Sequence, residues 1–429
     1  MKTFLQPLQN LAEMEEIQKQ AKKNRGILEI SGCMESQKAH LMYGLSGLFP
    51  CHLVIAADEK SAKELYEDYR FYDKRVYYYP AKDLLFFQAD IHGNLLIRQR
   101  MQVIRALLER EDEITVVTSI DGCMDYLAPL EKIEKQLIHF RNDSTLDMDK
   151  LTAALVHMGY ERVGQVEMPG QFSIRGGIID IYSLTEENPW RIELWGDEID
   201  SIRSFDAQSQ RSLENLDDVT IYPAAEQPME KNGVSFLDYF KETETLFFLD
   251  ELNHLEENAK AVQEEFQQSC ENRKEKGEIS LSGDWMCTWE ELCHKINDRN
   301  CVAMSLLDPK KSNWKISGQF NITVKSMSSY QSSFELLVKD LKQYKKEGYR
   351  IVLLSGSRTR AERLAKDLQD EGLSAFYGKD SDRILEPGEI MVAYGHARKG
   401  FEYPMVKFAV ITETDIFGKE QKKRKKKKE

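Results

Sequence analysis

The residues with the most evident chemistry lie in SGCMESQKAHLMYGL, residues 31 to 45. A short apolar run, Gly26 to Ile30, leads into them, and an amphipathic stretch follows. Gly32 and Lys38 keep the spacing of a phosphate-binding loop, G-x-x-x-x-G-K-[ST]. In a working loop the backbone N–H groups face the phosphates, the lysine neutralises their charge and the hydroxyl residue ligates magnesium. Here Gln37 stands where the second glycine belongs and Ala39 replaces the hydroxyl residue. Gln37 brings a Cβ to a position that often needs positive φ, and Ala39 has no oxygen for a metal. A second remnant ends the apolar run LFFLDE. Asp250 and Glu251 stand there as a magnesium-binding carboxylate and a water-orienting carboxylate would in an ATPase. Together these residues describe a degenerate nucleotide site, with ancestry but without activity. A third segment, EIMVAYGHARKGFEYPMVKFAVI, places Gly400 and Pro404 like the strand–loop–strand of a helicase lobe. No arginine-finger segment follows it, so Arg398 and Lys399 are poor candidates for transition-state contacts. His40, beside the loop, reads as a helix-surface or partly packed residue.

A different surface lies in WRIELW. Side chains alternate across a strand, so Trp190, Ile192 and Leu194 share one face, and Arg191, Glu193 and Trp195 share the other. In QFSIR the same parity lets Arg175 join that outer face. Arginine and tryptophan are the residues most enriched at protein–protein hot spots, so this face suits docking rather than catalysis. Cross-strand Arg–Glu pairing with Trp195 tucked under a loop is the alternative. Nothing in the chain reads as a Ser-His-Asp arrangement.

The elements that must position these residues are legible as α/β alternation. HLVIAAD and ITVVTSI are buried parallel-type strands with helical patterns between them, over residues 1 to 126. Residues 127 to 224 carry one helix pattern, LDMDKLTAALVHMG, and then closely spaced strands with Gly-Gly and Gly-Asp turns, an antiparallel meander with a helix on one face. Residues 225 to 325 return to α/β, and KKSNWKISGQFNIT to SMSSYQSS contains a linker. Residues 326 to 418 form another small α/β unit. The expected fold class is therefore α/β: a degenerate P-loop, RecA-like or helicase-like domain split by an inserted antiparallel α+β domain, then a further α/β domain.

Composition narrows the classes. The net charge is −13 over 429 residues. Residues 419 to 429, KEQKKRKKKKE, carry net +6, which leaves −19 on the body. An acidic body opposes broad nucleic-acid binding, and the lysine run reads as a basic linker or solvated helix. The seven cysteines contain no C-x-x-C, and Cys287, Cys293, His294 and Cys301 fit no common zinc spacing, so free thiols in a reducing cytoplasm are expected. No run of about 18 apolar residues exists to span a membrane.

The stretch GQFSIRGGIIDIYSLTEENPWRIELWGDEIDSIRSFDAQSQRSL resembles the second domain of bacterial transcription-repair coupling factors, the Mfd family, and a similar module of the excision-repair protein UvrB. The shared pattern is R-G-G/A-x-x-D-[IL]-[FY], then R-[ILV]-[DE]-[FL]-[FW]-x-[DE]-E-I, then F-D-x-x-[ST]-x-R. The order of α/β half, meander and α/β half fits as well. The resemblance implies that Arg175, Arg191 and Trp195, with Glu193 beside them, contact UvrA. Trp195 stands where the family commonly has Phe. It further implies a monomeric adaptor without chemistry or cofactor of its own. The ATP- and magnesium-dependent translocase, and the domains meeting RNA polymerase and double-stranded DNA, would lie in a longer parent. UvrB carries a damage-binding hairpin in its first α/β half, and the segment YYYPAKDLLFFQADIHGNLLIRQR is too short to hold one. A UvrB-like or helicase-type ATPase that binds damaged DNA is the rival reading.

Overall fold

The computed structural model describes residues 1–23, 25–82, 93–110, 113–226, 233–277, 286–307, 314–379 and 382–418. The basic run 419–429 and the middle of the segment expected to lack a hairpin, residues 83–92, lie outside them. The chain divides into two compact units.

The first unit comprises Met1–Val76, Glu242–Asn258 and Cys293–Glu429. It contains five parallel strands in the spatial order Ile316–Asn321, Gly26–Ser31, Asn300–Ser305, Thr245–Asp250 and Cys51–Ala56. Gly26–Ser31 and Thr245–Asp250 are buried along their whole length, as parallel strands covered on both faces must be. The edge strand Ile316–Asn321 corrects the sequence reading, which put a linker there. Its Ser, Gly, Gln and Asn content resembles a loop, yet it pairs in parallel with Gly26–Ser31. A second, mixed sheet of the same unit runs in the order Lys325–Ser326, Phe401–Tyr403, Phe408–Thr412, Arg350–Ser355, Ile390–Tyr394 and Ala375–Gly378. The helix Phe334–Glu347 covers it. Ser333 accepts from the N–H of Leu336 at its start, and Gly348, at φ +78°, ends it.

The second unit comprises Tyr77–Lys241 and Ala259–Leu292. Its main sheet has six strands, Ser212–Leu216, Glu198–Phe205, Trp190–Trp195, Ile178–Ile181, Gln171–Arg175 and Glu161–Arg162. Neighbours are antiparallel except the last pair, Glu161–Arg162 with Gln171–Phe172, which is parallel. The meander is therefore not wholly antiparallel, because the chain from Arg162 returns through Pro169 and Gly170 before pairing. Gly176 and Gly196 sit at φ +59° and +65° in two-residue hairpins, where a side chain would be strained. The helix Met148–His157 starts on Asp147, whose carboxylate accepts from the N–H of Lys150.

The turn out of Gly26–Ser31 needs glycine. Gly32 has φ +80°, and a Cβ there would lie 2.2 Å from the carbonyl oxygen of Ile322. Gly47 meets nothing within 4 Å. Gly32→Ala is expected to lower unfolding free energy by about 2 kcal/mol while Gly47→Ala changes it by less than about 0.5. Urea denaturation of both variants checks this, and equal midpoints would contradict it.

Candidate functional site

Two places in the molecule gather the residues that the sequence singled out. The first lies where the strand Gly26–Ser31 meets the helix Glu35–Leu45. Lys38 Nζ donates to Asp250 Oδ1 and to Glu251 Oε1, each at 2.6 Å, with the lysine and Asp250 side chains buried. The two sequence remnants thus form one ion cluster. Burial lifts the carboxyl of Asp250 above its ordinary range, and the lysine charge opposes that lift. Burial also opposes the Lys38 charge, but both carboxylates outweigh it and hold the ammonium above its ordinary pKa.

Three backbone donors of the loop have protein acceptors. Gly32 N–H donates to Leu306 O, Cys33 N–H to Ser305 O and Met34 N–H to Gln37 Oε1. The amide of Gln37 also donates to Tyr403 Oη at 2.9 Å. Ala39 is fully buried. A cavity of about 420 Å³ opens here, lined by Lys38, Glu251, Ser61, Arg398 and Lys399 among others. Two of its cations, Lys38 and Arg398, have carboxylate partners. The Arg398 guanidinium and N–H both bind the fully buried Asp68, and a further nitrogen binds Glu64. The Lys399 N–H donates to Ser36 Oγ. Gly400 packs where a Cβ would lie 2.4 Å from Val410 O, and its N–H donates to Asp415.

His40 is packed more deeply than the helix-surface or partly packed position expected for it. It is fully buried among Phe4, Tyr72, Phe401, Tyr403 and Phe408. One ring nitrogen lies 2.8 Å from Phe4 O and the other 3.1 Å from Tyr403 Oη. Phe4 and Tyr403 are remote in sequence, so nothing local announces this burial. Of the four residues weighed for zinc, Cys287, Cys293 and Cys301 are buried and His294 is exposed.

The second place is the outer face of the strand Trp190–Trp195. Trp190 and Ile192 are buried, and Arg191, Glu193 and Trp195 alternate with them as expected. Trp195 is 84% exposed, so it is not tucked under a loop. An extra residue on the partner strand, between Ile199 and Ser201, absorbs a register shift and leaves this alternation intact. Arg191 is more sheltered than its parity alone suggests. Its Nε and a terminal nitrogen grip both oxygens of Asp180 at 2.7 and 2.9 Å, and its guanidinium lies 4.4 Å over the Phe205 ring. Arg175 donates to the same Asp180 at 2.6 Å and stays nearly half exposed. Glu193 pairs with Arg203 and accepts from Ser201. All four named residues therefore share one face.

The organiser, Asp180, is the aspartate of the R-G-G/A-x-x-D pattern but was given no role in the sequence reading, nor were Arg203, Phe205 and Gln210, which accepts from Arg191 at 3.2 Å. A signal existed. Asp180 has the outward parity in IIDI and sits directly across from both Ser173 and Arg191.

The buried imidazole has a pH consequence. Burial lowers the His40 pKa from 6.5 to about 4. The unfolded chain then binds more protons than the folded one between those values, so stability is present above pH 6.5 and falls as pH drops toward 4. Between pH 7 and 5 the wild type should lose about 2 kcal/mol more than His40→Gln. Urea titrations at the two pH values measure this, and parallel losses would show that His40 does not titrate as placed.

Residues 138–226 match a family model described as the UvrB interaction domain. The chain is 29% identical to the transcription-repair-coupling factor of Bacillus subtilis (strain 168), over 92% of this chain and 40% of that protein. It is 26% identical to the factor of the same name from Staphylococcus haemolyticus, over 82% of this chain and 34% of that one. A Staphylococcus epidermidis relative is 25% identical over 82% and 35%. The chain thus spans well under half the length of these relatives.

Proposed function

We propose, from the premise that the chain is related to the amino-terminal part of transcription-repair-coupling factors and carries a UvrB interaction domain, that it recruits UvrA by presenting a UvrB-like face. The observation that carries this reading is the 84% exposed Trp195 beside two arginines held by one buried aspartate. An exposed aromatic flanked by pre-positioned guanidinium groups is the make-up of a hot spot, because little side-chain entropy remains to be lost on docking. Arg175, Arg191 and Trp195 contact UvrA in this reading, and Glu193 fixes Arg203 beside them. In a longer parent, an ATP-driven translocase would act on RNA polymerase and double-stranded DNA, and this face would deliver the repair machinery.

The α/β framework is read as a P-loop domain split by the sheet of residues 138–226 and emptied of chemistry. Three features support that. The lysine is neutralised by Asp250 and Glu251, the loop N–H groups of Gly32, Cys33 and Met34 have protein acceptors, and Ala39 offers no metal ligand. A live UvrB-like ATPase would have to break these contacts. Isothermal titration with ATP and magnesium is expected to give no heat of binding. Micromolar affinity would instead favour the enzymatic reading.

For the docking face, Trp195→Ala and Arg191→Ala should each weaken UvrA binding by about 2 kcal/mol, roughly thirtyfold. Trp195 is the cleaner probe, since its removal leaves no buried group unpaired. Lys38→Ala should leave UvrA binding unchanged. A pulldown in which the Arg175, Arg191 and Trp195 triple alanine variant retains UvrA as well as wild type does would end this proposal.

A further inference from the structure

The docking face carries a charge that its own residues leave unmet. Asp180, Arg191, Arg203 and Asn215 stand in one row on four successive strands. Arg191 and Arg203 are therefore directly opposite each other, a register in which like charges repel. Arg175 shares the outer face, so three guanidinium groups meet two carboxylates, Asp180 and Glu193. Glu198, across from Trp195, and the bulged Asp200 lie further along the hairpin. Among the described residues neither of them bonds any of the three arginines. The sign of this face thus opposes that of the chain, whose net charge is −13.

The three arginines differ in how far they are committed. Arg191 is the most occupied, with both Asp180 oxygens, Gln210 and the Phe205 ring as partners. Arg175 shares one Asp180 oxygen with Arg191. Arg203 reaches only Glu193, through one terminal nitrogen, and the other Glu193 oxygen accepts from Ser201. The Nε of Arg203 is buried without an acceptor, so the donors left for a partner are on its terminal nitrogens. Its side chain is 29% exposed, and Asn215, its neighbour on the edge strand, is exposed as well. Arg203 is therefore anchored at one nitrogen and open to an incoming group.

Given the UvrA reading of this face, we propose that Arg203 is a further contact and that it meets a carboxylate side chain of UvrA. A guanidinium offers planar, paired donors that match a carboxylate. One added negative charge would balance the three arginines and relieve the repulsion between Arg191 and Arg203. A single carboxylate suits an excess of one charge, whereas a nucleic-acid backbone would bring many charges to an acidic chain. Arg203 then contributes specificity: a partner surface with a cation at this point is repelled.

The test is isothermal titration of the full chain with UvrA at several salt concentrations. Arg203→Gln should weaken binding roughly tenfold. It should also flatten the dependence on salt, because one screened ion pair is gone. Arg203→Lys keeps the charge and should keep that salt dependence. Lys366→Gln removes an equal, exposed charge from the other unit and should change neither quantity. Thermal melts establish that each variant folds. A wild-type chain that does not hold UvrA overturns both this assignment and the reading it rests on. Binding that weakens on Trp195→Ala but not on Arg203→Gln overturns the assignment alone. So does a loss of affinity in Arg203→Gln with the salt dependence unchanged, which would mark a purely structural role. Binding of duplex DNA by the chain alone that is lost on Arg203→Gln would give the arginine to phosphate instead, and would likewise overturn the assignment.

Discussion

The ammonium of Lys38, closed between Asp250 and Glu251, shows the constraint on which much of this molecule depends: a charge taken out of water must be met by another charge. Each of the two carboxylates lies 2.6 Å from the nitrogen. Asp250 ends a fully buried strand, and Glu251 turns out of it with φ +55° while its carboxylate accepts from the N–H of Leu306. The contact therefore fixes the helix Glu35–Leu45 against the ends of two strands. Gln37 adds a second anchor through Tyr403, and Arg398 a third through Asp68. Lys38, Gln37 and Arg398 thus tie elements of the fold together.

The same constraint operates on the sheet of the second unit with a different result. Asp180 is fully buried on the side chain, and its two oxygens are met by Arg191 and Arg175. Here the partners sit at the surface. Asp180 limits the rotamers of two long side chains that would otherwise lose considerable entropy on binding. Phe205 under Arg191 restricts them further. A buried carboxylate thus becomes a device for holding guanidinium groups in place without removing them from reach.

How much of this could be read from residues alone follows from the range of each interaction. Strand parity is local, so WRIELW announced which side chains face out and which are buried. The departure of Gln37 and Ala39 from the phosphate-loop pattern is equally local, because it lies in the spacing alone. That Lys38 would meet Asp250 was only suggested by the pairing of two remnants, since 212 residues separate them. Asp180 escaped notice because a single acid inside an apolar strand reads as a solvent-facing residue until the register across from Arg191 is known. His40 was misjudged for a similar reason: its surroundings are built from Phe4 and from the strand Phe401–Tyr403, at opposite ends of the chain. The edge strand Ile316–Asn321 lacked a signal, since polar composition at a sheet edge is indistinguishable from a loop until a partner strand is supplied.

These contacts also bear on what a surviving motif means. Removing Lys38 alone leaves two carboxylates facing each other in a poorly solvated site, and removing Asp250 alone leaves a buried ammonium held only by Glu251. Either single step costs several kcal/mol, whereas replacing the whole cluster by apolar residues would cost far less. The members of such a cluster are coupled, so they persist together even when nothing reactive depends on them. Gln37 and Ala39 are not in the cluster and were free to depart from the loop pattern. The charged positions of the loop pattern are kept here, and the glycine and hydroxyl positions are changed. A lysine at the right spacing is therefore weak evidence of nucleotide chemistry unless its partners are known.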